Sequence, residues 1–297
     1  MRSASCVANS FLRTGRGRVG IVILWIVLFI ALFGPFFAPH DPAAILGAPG
    51  QKPGNGFVLG TDYLGHDVLS RVLWGGRSVV WLSLAATALA YITGSLVGLI
   101  AGYNRNLLDP ILMRSMDVIL VFPPLLFFLI AATAVGTSKA VLIIGVAIVQ
   151  APGVARIVYT ATRETSVRGY VEAAVARGES TPAILRREIV PNIMAPMIAN
   201  VGLSLTFSIL LVAAVNFLNL GLQPPSANWA LMISENRPVL SLNIWSTVAP
   251  AACIAALTIG VNLVGDAISH TLGRSEEVES EAIGTSQPEP ISVTQVG

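Results

Sequence analysis

Long runs of uncharged, apolar residues constrain this chain more than any other feature. Residues 19–39 and 78–104 carry no charge, and the charge-free run at residues 189–234 is too long for one helix across a bilayer. Such a crossing takes about 20 apolar residues. Charged residues make up 11% of the chain, against about 25% in an average soluble domain. The sequence therefore excludes a soluble domain and predicts an all-α polytopic membrane protein.

These runs predict six transmembrane helices. We expect them at residues 19–39, 78–104, 118–138, 140–155, 196–219 and 238–265, with the fourth running on to Tyr159. Prolines inside the third, fourth and sixth helices predict bends, which neighbouring helices can accommodate. A cleaved signal peptide is the alternative for the first run. Its apolar stretch exceeds the usual length of ~7–15 residues and ends in a poor cleavage site, so we expect a retained helix.

The distribution of basic residues predicts the orientation. Of the 18 basic residues, 13 fall in segments that face one side of the membrane when six spans are assumed. The five on the other side are Lys52, Arg71, Arg77, Lys139 and Arg237. Because basic residues concentrate in cytoplasmic segments, we expect both termini to be cytoplasmic.

This orientation divides the chain into five parts. Residues 1–18 form a cytoplasmic tail, residues 19–39 the first helix and residues 40–77 an extracytoplasmic segment. Residues 78–268 form a core of five helices with a long cytoplasmic loop at residues 160–191. Residues 269–297 are rich in glutamate and poor in apolar side chains, so we expect a disordered cytoplasmic tail.

Motifs that carry chemistry are missing from the sequence. Neither Lys52 nor Lys139 follows a glycine, so the phosphate-binding loop of ATPases is not present. The three histidines are scattered and the two cysteines lie in distant parts of the chain, which argues against a metal site or a disulfide. The net charge of +2 gives no support for nucleic-acid binding. We predict no catalytic residue, no metal site and no cofactor bound by this chain.

The polar residues in the middle of the predicted helices are neutral. Proton-driven carriers usually place ionisable residues there, so a proton relay is not indicated. The candidates for a translocation path are Gln150, Asn200, Thr206 and Asn262. Hydrogen bonding between helices is the alternative role, and the one we favour.

The cytoplasmic loop at residues 160–191 predicts two short helices. The first covers about residues 163–177 and ends at Gly178, which suits the left-handed position after a helix. Ser180 or Thr181 can cap the second, Pro182 fits its first turn, and Pro191 is expected to end it. Tyr170, Ala173, Ala174 and Arg177 share one side of the first helix. A solvated basic loop is the alternative.

The same loop carries a resemblance to a known family. Glu172, Ala173 and Ala174, then Gly178 after three residues, then Val190 and Pro191, resemble the EAA loop of ABC-importer permeases. In that family the loop forms a helix that docks into a groove on the ATPase. The resemblance implies a coupling role for the following positions. They are Tyr170, Glu172, Ala173, Ala174, Arg177, Gly178 and Pro191.

A second motif narrows the resemblance. Residues 59–71 are similar to the G-T-D-x-x-G-R-D-V-x-S-R signature of the C-type permease subunit of dipeptide, oligopeptide and nickel importers. The matching positions are Gly60, Thr61, Asp62, Gly65, Asp67 and Arg71, and His66 stands where the signature has arginine. We expect Asp67 to cap a short helix on the outer membrane face, with Arg71 and Arg77 toward lipid headgroups. This segment is either a structural turn, which we favour, or a contact for a binding protein.

The resemblance implies a type I ABC-importer permease fold and a peptide-translocating subunit of the bacterial inner membrane. The implied partners are a B-type permease, one or two ATPases that bind ATP and magnesium, an extracytoplasmic binding protein and the lipid bilayer. The chain itself is then not an enzyme. The alternatives are a nickel permease within the family and, from another class, a secondary carrier or channel that would purify without an ATPase.

Overall fold

The computed structural model describes residues 15–54, 56–104 and 108–284, with the side chains of residues 15–16 and 272–284 left undescribed. Within these ranges the regular structure is helical, apart from two isolated β-bridges. The helices in chain order are α1 (Gly15–Phe37), α2 (Val68–Tyr103), α3 (Leu108–Val121), α4 (Pro124–Val135), α5 (Lys139–Thr165), α6 (Gly169–Ala176), α7 (Thr181–Ile184), α8 (Val190–Phe217), α9 (Trp229–Glu235) and α10 (Trp245–Gly284).

Five helical stretches of the described chain are long and apolar enough to cross a membrane. They are α1, α2, α5, the continuous stretch Thr181–Phe217 and residues Trp245–Thr271 of α10. A sixth crossing exists if the bent pair α3 and α4 counts as one span. The all-α polytopic fold predicted from the sequence is confirmed.

The third predicted span is not one straight helix. It begins at Leu108, breaks at Phe122–Pro123 and continues as α4, and the two halves meet at 88°. Pro124 starts α4, and a proline disfavours helical backbone in the residue before it. Two consecutive prolines therefore produce a sharp break where the sequence predicted only a bend.

The loop at residues 160–191 also differs from its prediction at both ends. Helix α5 runs on to Thr165, so the first short helix begins at Gly169 rather than near residue 163. Pro191 does not end the second helix, because a π-helical turn, Leu185–Ile189, joins α7 to α8. The wider π turn accommodates the proline ring that a regular turn would press against an earlier carbonyl. Pro196, predicted to start the fifth span, lies inside α8.

Glycines bring α2 and α5 close together along the bundle. Gly94, Gly98 and Gly102 follow one another at four-residue intervals and face α5. A Cβ at Gly94 would lie 2.6 Å from the carbonyl oxygen of Ala151, and one at Gly98 would lie 2.6 Å from that of Ala155. Small residues at such positions allow backbones to approach closely in membrane helices. These contacts make α2 and α5 the central pair of the fold.

The last helix is longer than predicted and includes part of the segment that was expected to be a disordered tail. We predicted disorder from residue 269, whereas α10 extends to Gly284. Glutamate, arginine and alanine favour helix, and extending an existing helix avoids the cost of nucleation. Residues 285–297 of the predicted tail and residues 1–14 of the N-terminal segment lie outside the described residues.

Candidate functional site

We call the end of the bundle that holds residues 38–67 and 218–244 the outer end, and the end that holds residues 166–189 the inner end, following the charge distribution. Three groups of residues are candidates for a functional role. They are the inner knob (residues 166–189), a polar network between α2, α5 and α8, and an ion cluster at the outer end.

Helix α6 of the inner knob ends in a Schellman motif. Gly178 has a φ of +77°, its N–H donates to the Val175 carbonyl at 2.9 Å, and the Glu179 N–H donates to the Ala174 carbonyl at 3.2 Å. Only glycine adopts this backbone region without cost. The sequence prediction of a glycine-dependent chain reversal is therefore confirmed.

One side of α6 packs into the protein and the other faces solvent. Val171 and Ala174 are buried with side chains of α5, the π turn and α8, namely Val154, Val158, Ile189 and Ile193. Ala174 is therefore not available to a partner, which corrects the expectation that it shares an open side with Ala173. Of the seven positions predicted for coupling, six remain exposed, namely Tyr170, Glu172, Ala173, Arg177, Gly178 and Pro191.

The two charged side chains predicted for coupling behave differently. The Arg177 guanidinium binds Glu179 at 2.7 Å. Glu172 forms no ion pair with Arg168 among the described residues. It lies instead on a cleft of about 550 Å³ that also includes Tyr103 and Ser166. This cleft leaves the Glu172 carboxylate accessible from outside the chain.

The polar network lies inside the bundle. The Gln150 side chain donates to the Ser204 carbonyl and accepts from the Ser208 hydroxyl at 2.8 Å. The Asn200 amide donates to the Ser204 hydroxyl at 2.9 Å and to the Tyr91 hydroxyl at 3.2 Å. For Gln150 and Asn200 the interhelical hydrogen bonding favoured from the sequence is confirmed.

The other two candidates for a translocation path are not part of this network. Thr206 is buried and its hydroxyl has no partner among the described residues, and Asn262 is half-buried on α10. The described hydrogen bonds therefore connect Gln150 and Asn200 through Ser204, but not Thr206 or Asn262.

The outer ion cluster consists of Asp62, His66, Arg71 and Glu235. The Arg71 guanidinium binds the Asp62 carboxylate through Nη1 and the Glu235 carboxylate through Nη2, the latter at 3.0 Å. His66 Nδ1 lies 2.8 Å from Asp62 Oδ2. The Arg71 side chain is 1% exposed and the Glu235 side chain 5% exposed, so these charges are almost removed from water.

Turn geometry holds the Asp62 carboxylate in place. Its Oδ1 accepts the backbone N–H groups of Leu64 at 2.9 Å and of His66 at 2.8 Å. Gly60 and Gly65 have positive φ, and a Cβ at either position would lie 2.1 Å from a backbone carbonyl oxygen. Glycine is thus required at both positions.

Asp67 caps α2 as predicted, but the helix it starts is not a separate surface helix. Its carboxylate accepts the Ser70 N–H at 3.2 Å and the Ser70 hydroxyl at 2.6 Å. Helix α2 then continues without interruption to Tyr103. Arg71 is buried in the ion cluster rather than directed toward headgroups, because two carboxylates meet it there. Arg77 is exposed and lies near the rings of Phe36 and Trp74.

The pKa values of the two carboxyl groups of the cluster are shifted in opposite directions. Burial alone would raise the pKa of Asp62, but the Arg71 charge and the hydrogen bonds from His66 and Arg71 lower it below the usual value. For Glu235, burial dominates over the attraction of Arg71, so its pKa is raised. The pKa of Tyr63 is also raised, by burial and by the nearby Glu235 charge.

Sequence reasoning missed Glu235 and the asparagines beside it. Glu235 lies 164 positions from Arg71 in the chain, and no local sequence pattern indicates a contact between residues that far apart in the chain. The only signal was its position as the first charge after the run at residues 189–234. Asn236 accepts the Tyr63 N–H at 2.9 Å, and Asn243 donates to the Leu59 and Thr61 carbonyls at 2.9 and 3.0 Å. Through these hydrogen bonds, the buried amides connect the segment before α2 to the segment around α9.

Comparison with known proteins places these features in a family context. Residues 94–275 match the model of the binding-protein-dependent transport system inner membrane component family. Residues 8–53 match the N-terminal TM domain of oligopeptide transport permease C.

Two curated relatives are similar over most of their length. The di/tripeptide transport system permease protein DppC of Pseudomonas aeruginosa is 34% identical over 260 residues, which cover 85% of this chain and 86% of the relative. The probable D,D-dipeptide transport system permease protein DdpC of Escherichia coli is 34% identical over 252 residues, covering 84% and 85%.

The fold resembles a solved transporter structure. An inward facing conformation of the MetNI methionine ABC transporter superposes with a TM-score of 0.50 at 18% identity, covering 65% of this chain and 94% of that chain. At this identity the likeness concerns the fold alone.

Proposed function

Because this chain belongs to the family of binding-protein-dependent transport system inner membrane components, we propose that it is the C-type permease subunit of an importer for di- or oligopeptides. The observation that carries the substrate class is the similarity over more than four fifths of the chain to permeases named for di- and tripeptides and for D,D-dipeptides. The chain is a transport subunit and not an enzyme.

The family context supports a set of partners. A B-type permease would complete the translocation path between two subunits. ATPase subunits would bind ATP and magnesium, and a binding protein would deliver peptide at the outer end. Both termini of this subunit would then be cytoplasmic.

The inner knob is suited to transmit movement of an ATPase to the helices. Its exposed side offers Tyr170, Glu172, Ala173 and Arg177, while its buried side packs on α5 and α8. Since α7 joins α8 without a loop, a displacement of the knob moves the end of a membrane helix directly. Such movement can shift the bundle between outward and inward access.

The test is uptake by cells that carry or lack this chain together with its partners. We expect a strain without the chain to resist a toxic dipeptide and to lose uptake of labelled dipeptide, and an ATPase to copurify with the tagged chain. Restored uptake of labelled nickel with no change in peptide uptake would contradict the substrate class. Purification without an ATPase, with uptake retained, would indicate a secondary carrier.

A further inference from the structure

We propose that the outer ion cluster, Asp62, His66, Arg71 and Glu235, is a proton-dependent latch between the outer segment and α9. The latch would hold the two elements together when the cluster carries one extra proton and loosen when that proton leaves. This role does not depend on which solute is transported.

The charge count in the cluster supports this assignment. Asp62 and Glu235 contribute two negative charges when ionised, and Arg71 contributes one positive charge that both share. The sum is one uncompensated negative charge among side chains that are at most 6% exposed. Burying an unpaired charge is strongly unfavourable. One additional proton brings the cluster to neutrality.

Geometry identifies where that proton can reside. His66 Nδ1 lies 2.8 Å from Asp62 Oδ2, so Nδ1 must carry a hydrogen directed at the carboxylate. The same Nδ1 lies 3.3 Å from Arg71 Nη1, which is a donor only, and this contact is therefore not a hydrogen bond. Protonation of the other ring nitrogen would make His66 a second cation beside Asp62.

Glu235 offers the second location for the proton. Its Oε1 is buried without a hydrogen-bond partner among the described residues, and the Arg71 Nε is likewise without one. Burial raises the pKa of Glu235 above its ordinary value. A carboxyl group with a raised pKa binds more protons in the folded than in the unfolded chain, so its contribution to stability falls as pH rises.

Other titratable groups near the cluster are engaged elsewhere or remain neutral at physiological pH. The Asp67 carboxylate accepts the Ser70 hydroxyl, and His40 Nδ1 lies 3.2 Å from Asp67 Oδ2. Tyr63 lies near Glu235, and its raised pKa keeps it uncharged. His66 and Glu235 are thus the two groups of the latch that have an atom able to take up the extra proton.

The latch joins two elements that no short loop connects. The Trp229 indole donates to the Val72 carbonyl at 2.7 Å, so the first residue of α9 is bound to α2. The last residue of α9 is Glu235, which binds Arg71 of α2. Loosening the cluster would release the C-terminal end of α9 while Trp229 stays buried.

The experiment is hydrogen exchange measured by mass spectrometry on the full chain in lipid nanodiscs, between about pH 5 and 8. After correction for intrinsic exchange rates, we expect faster exchange in residues 60–67 and 229–236 as pH rises, by up to about tenfold per pH unit for one linked proton. The inner knob should show no such change. His66→Arg supplies a permanent charge and should abolish the pH dependence.

The remaining variants separate the latch from a general histidine effect. His66→Gln should exchange fast at neutral pH, and adding Glu235→Gln should slow it again, because Asp62 and Arg71 alone are neutral. His40→Gln and His270→Gln should retain the wild-type pH dependence. The proposal is overturned if wild-type exchange is independent of pH, or if His66→Arg keeps the dependence. Should the variants fail to accumulate, the wild-type series decides.

Discussion

Gly178 shows how one backbone angle can support a function. Its φ is +77°, yet a Cβ added there would have no atom within 4 Å. A side chain at this position is therefore opposed by the backbone conformation and not by crowding. The left-handed conformation costs about 1–2 kcal/mol for an ordinary residue and is a severe outlier for a β-branched one.

Gly178→Val should reduce peptide uptake and ATPase copurification by roughly tenfold or more, since each 1.4 kcal/mol corresponds to about tenfold. The protein should still insert at a normal level, because the knob lies outside the spans. Gly178→Asn should retain more activity, as asparagine tolerates this conformation.

The matched control is Gly169→Val, on the same helix and also in open space but with an ordinary φ. Equal losses in Gly178→Val and Gly169→Val would show that the chain reversal is not the cause.

Arg71 is the residue on which the outer end depends most. It pairs with two carboxylates while 1% exposed, and removing one partner of a buried pair typically costs 3–5 kcal/mol because the remaining charge is left unpaired. Arg71→Met should lower the free energy of unfolding in detergent by about that amount. Arg77→Met, which removes an exposed cation beside two rings, should cost about 1 kcal/mol or less. Similar losses in the two variants would argue against a buried ion cluster.

At the scale of elements, the contact between α2 and α5 depends on small side chains. Gly98→Val would force the two backbones apart, because a Cβ there lies 2.6 Å from the Ala155 carbonyl oxygen. We expect a loss of about 1–3 kcal/mol from overpacking, seen as a lower melting temperature in detergent. Gly153→Val, on α5 with no atom within 4 Å, should be nearly neutral. An unchanged melting temperature in Gly98→Val would contradict the close approach.

The elements also show which features a sequence can predict. The Asp67 cap and the reversal at Gly178 follow from short-range chemistry, and each occurs where it was expected. The π turn before Pro191 and the 88° break before Pro124 were not predicted, because the surrounding helices decide how a chain accommodates proline. The Arg71–Glu235 pair was missed since only the complete fold brings its two ends together.

At the scale of the whole molecule, α5 provides a direct test of orientation. Lys139 and Glu164 lie near opposite ends of this 27-residue helix, which is about 40 Å long at 1.5 Å per residue. In a background without native cysteines, Lys139→Cys should react with an impermeant thiol reagent in intact cells. Glu164→Cys should react only after the membrane is opened. The reverse pattern would place the termini outside.

Helix α2 has 36 residues and therefore measures about 54 Å, well beyond the ~30 Å of hydrocarbon it crosses. Both ends of this helix therefore extend beyond the hydrocarbon layer. When a straight helix tilts about its middle, its two ends move in opposite directions. Gly98 and Gly102 pack the inner half of α2 closely on α5, and Arg71 binds Asp62 and Glu235 at its outer tip, so we expect a displacement of the inner half to reach the outer ion cluster through the helix itself, without any loop having to change its shape.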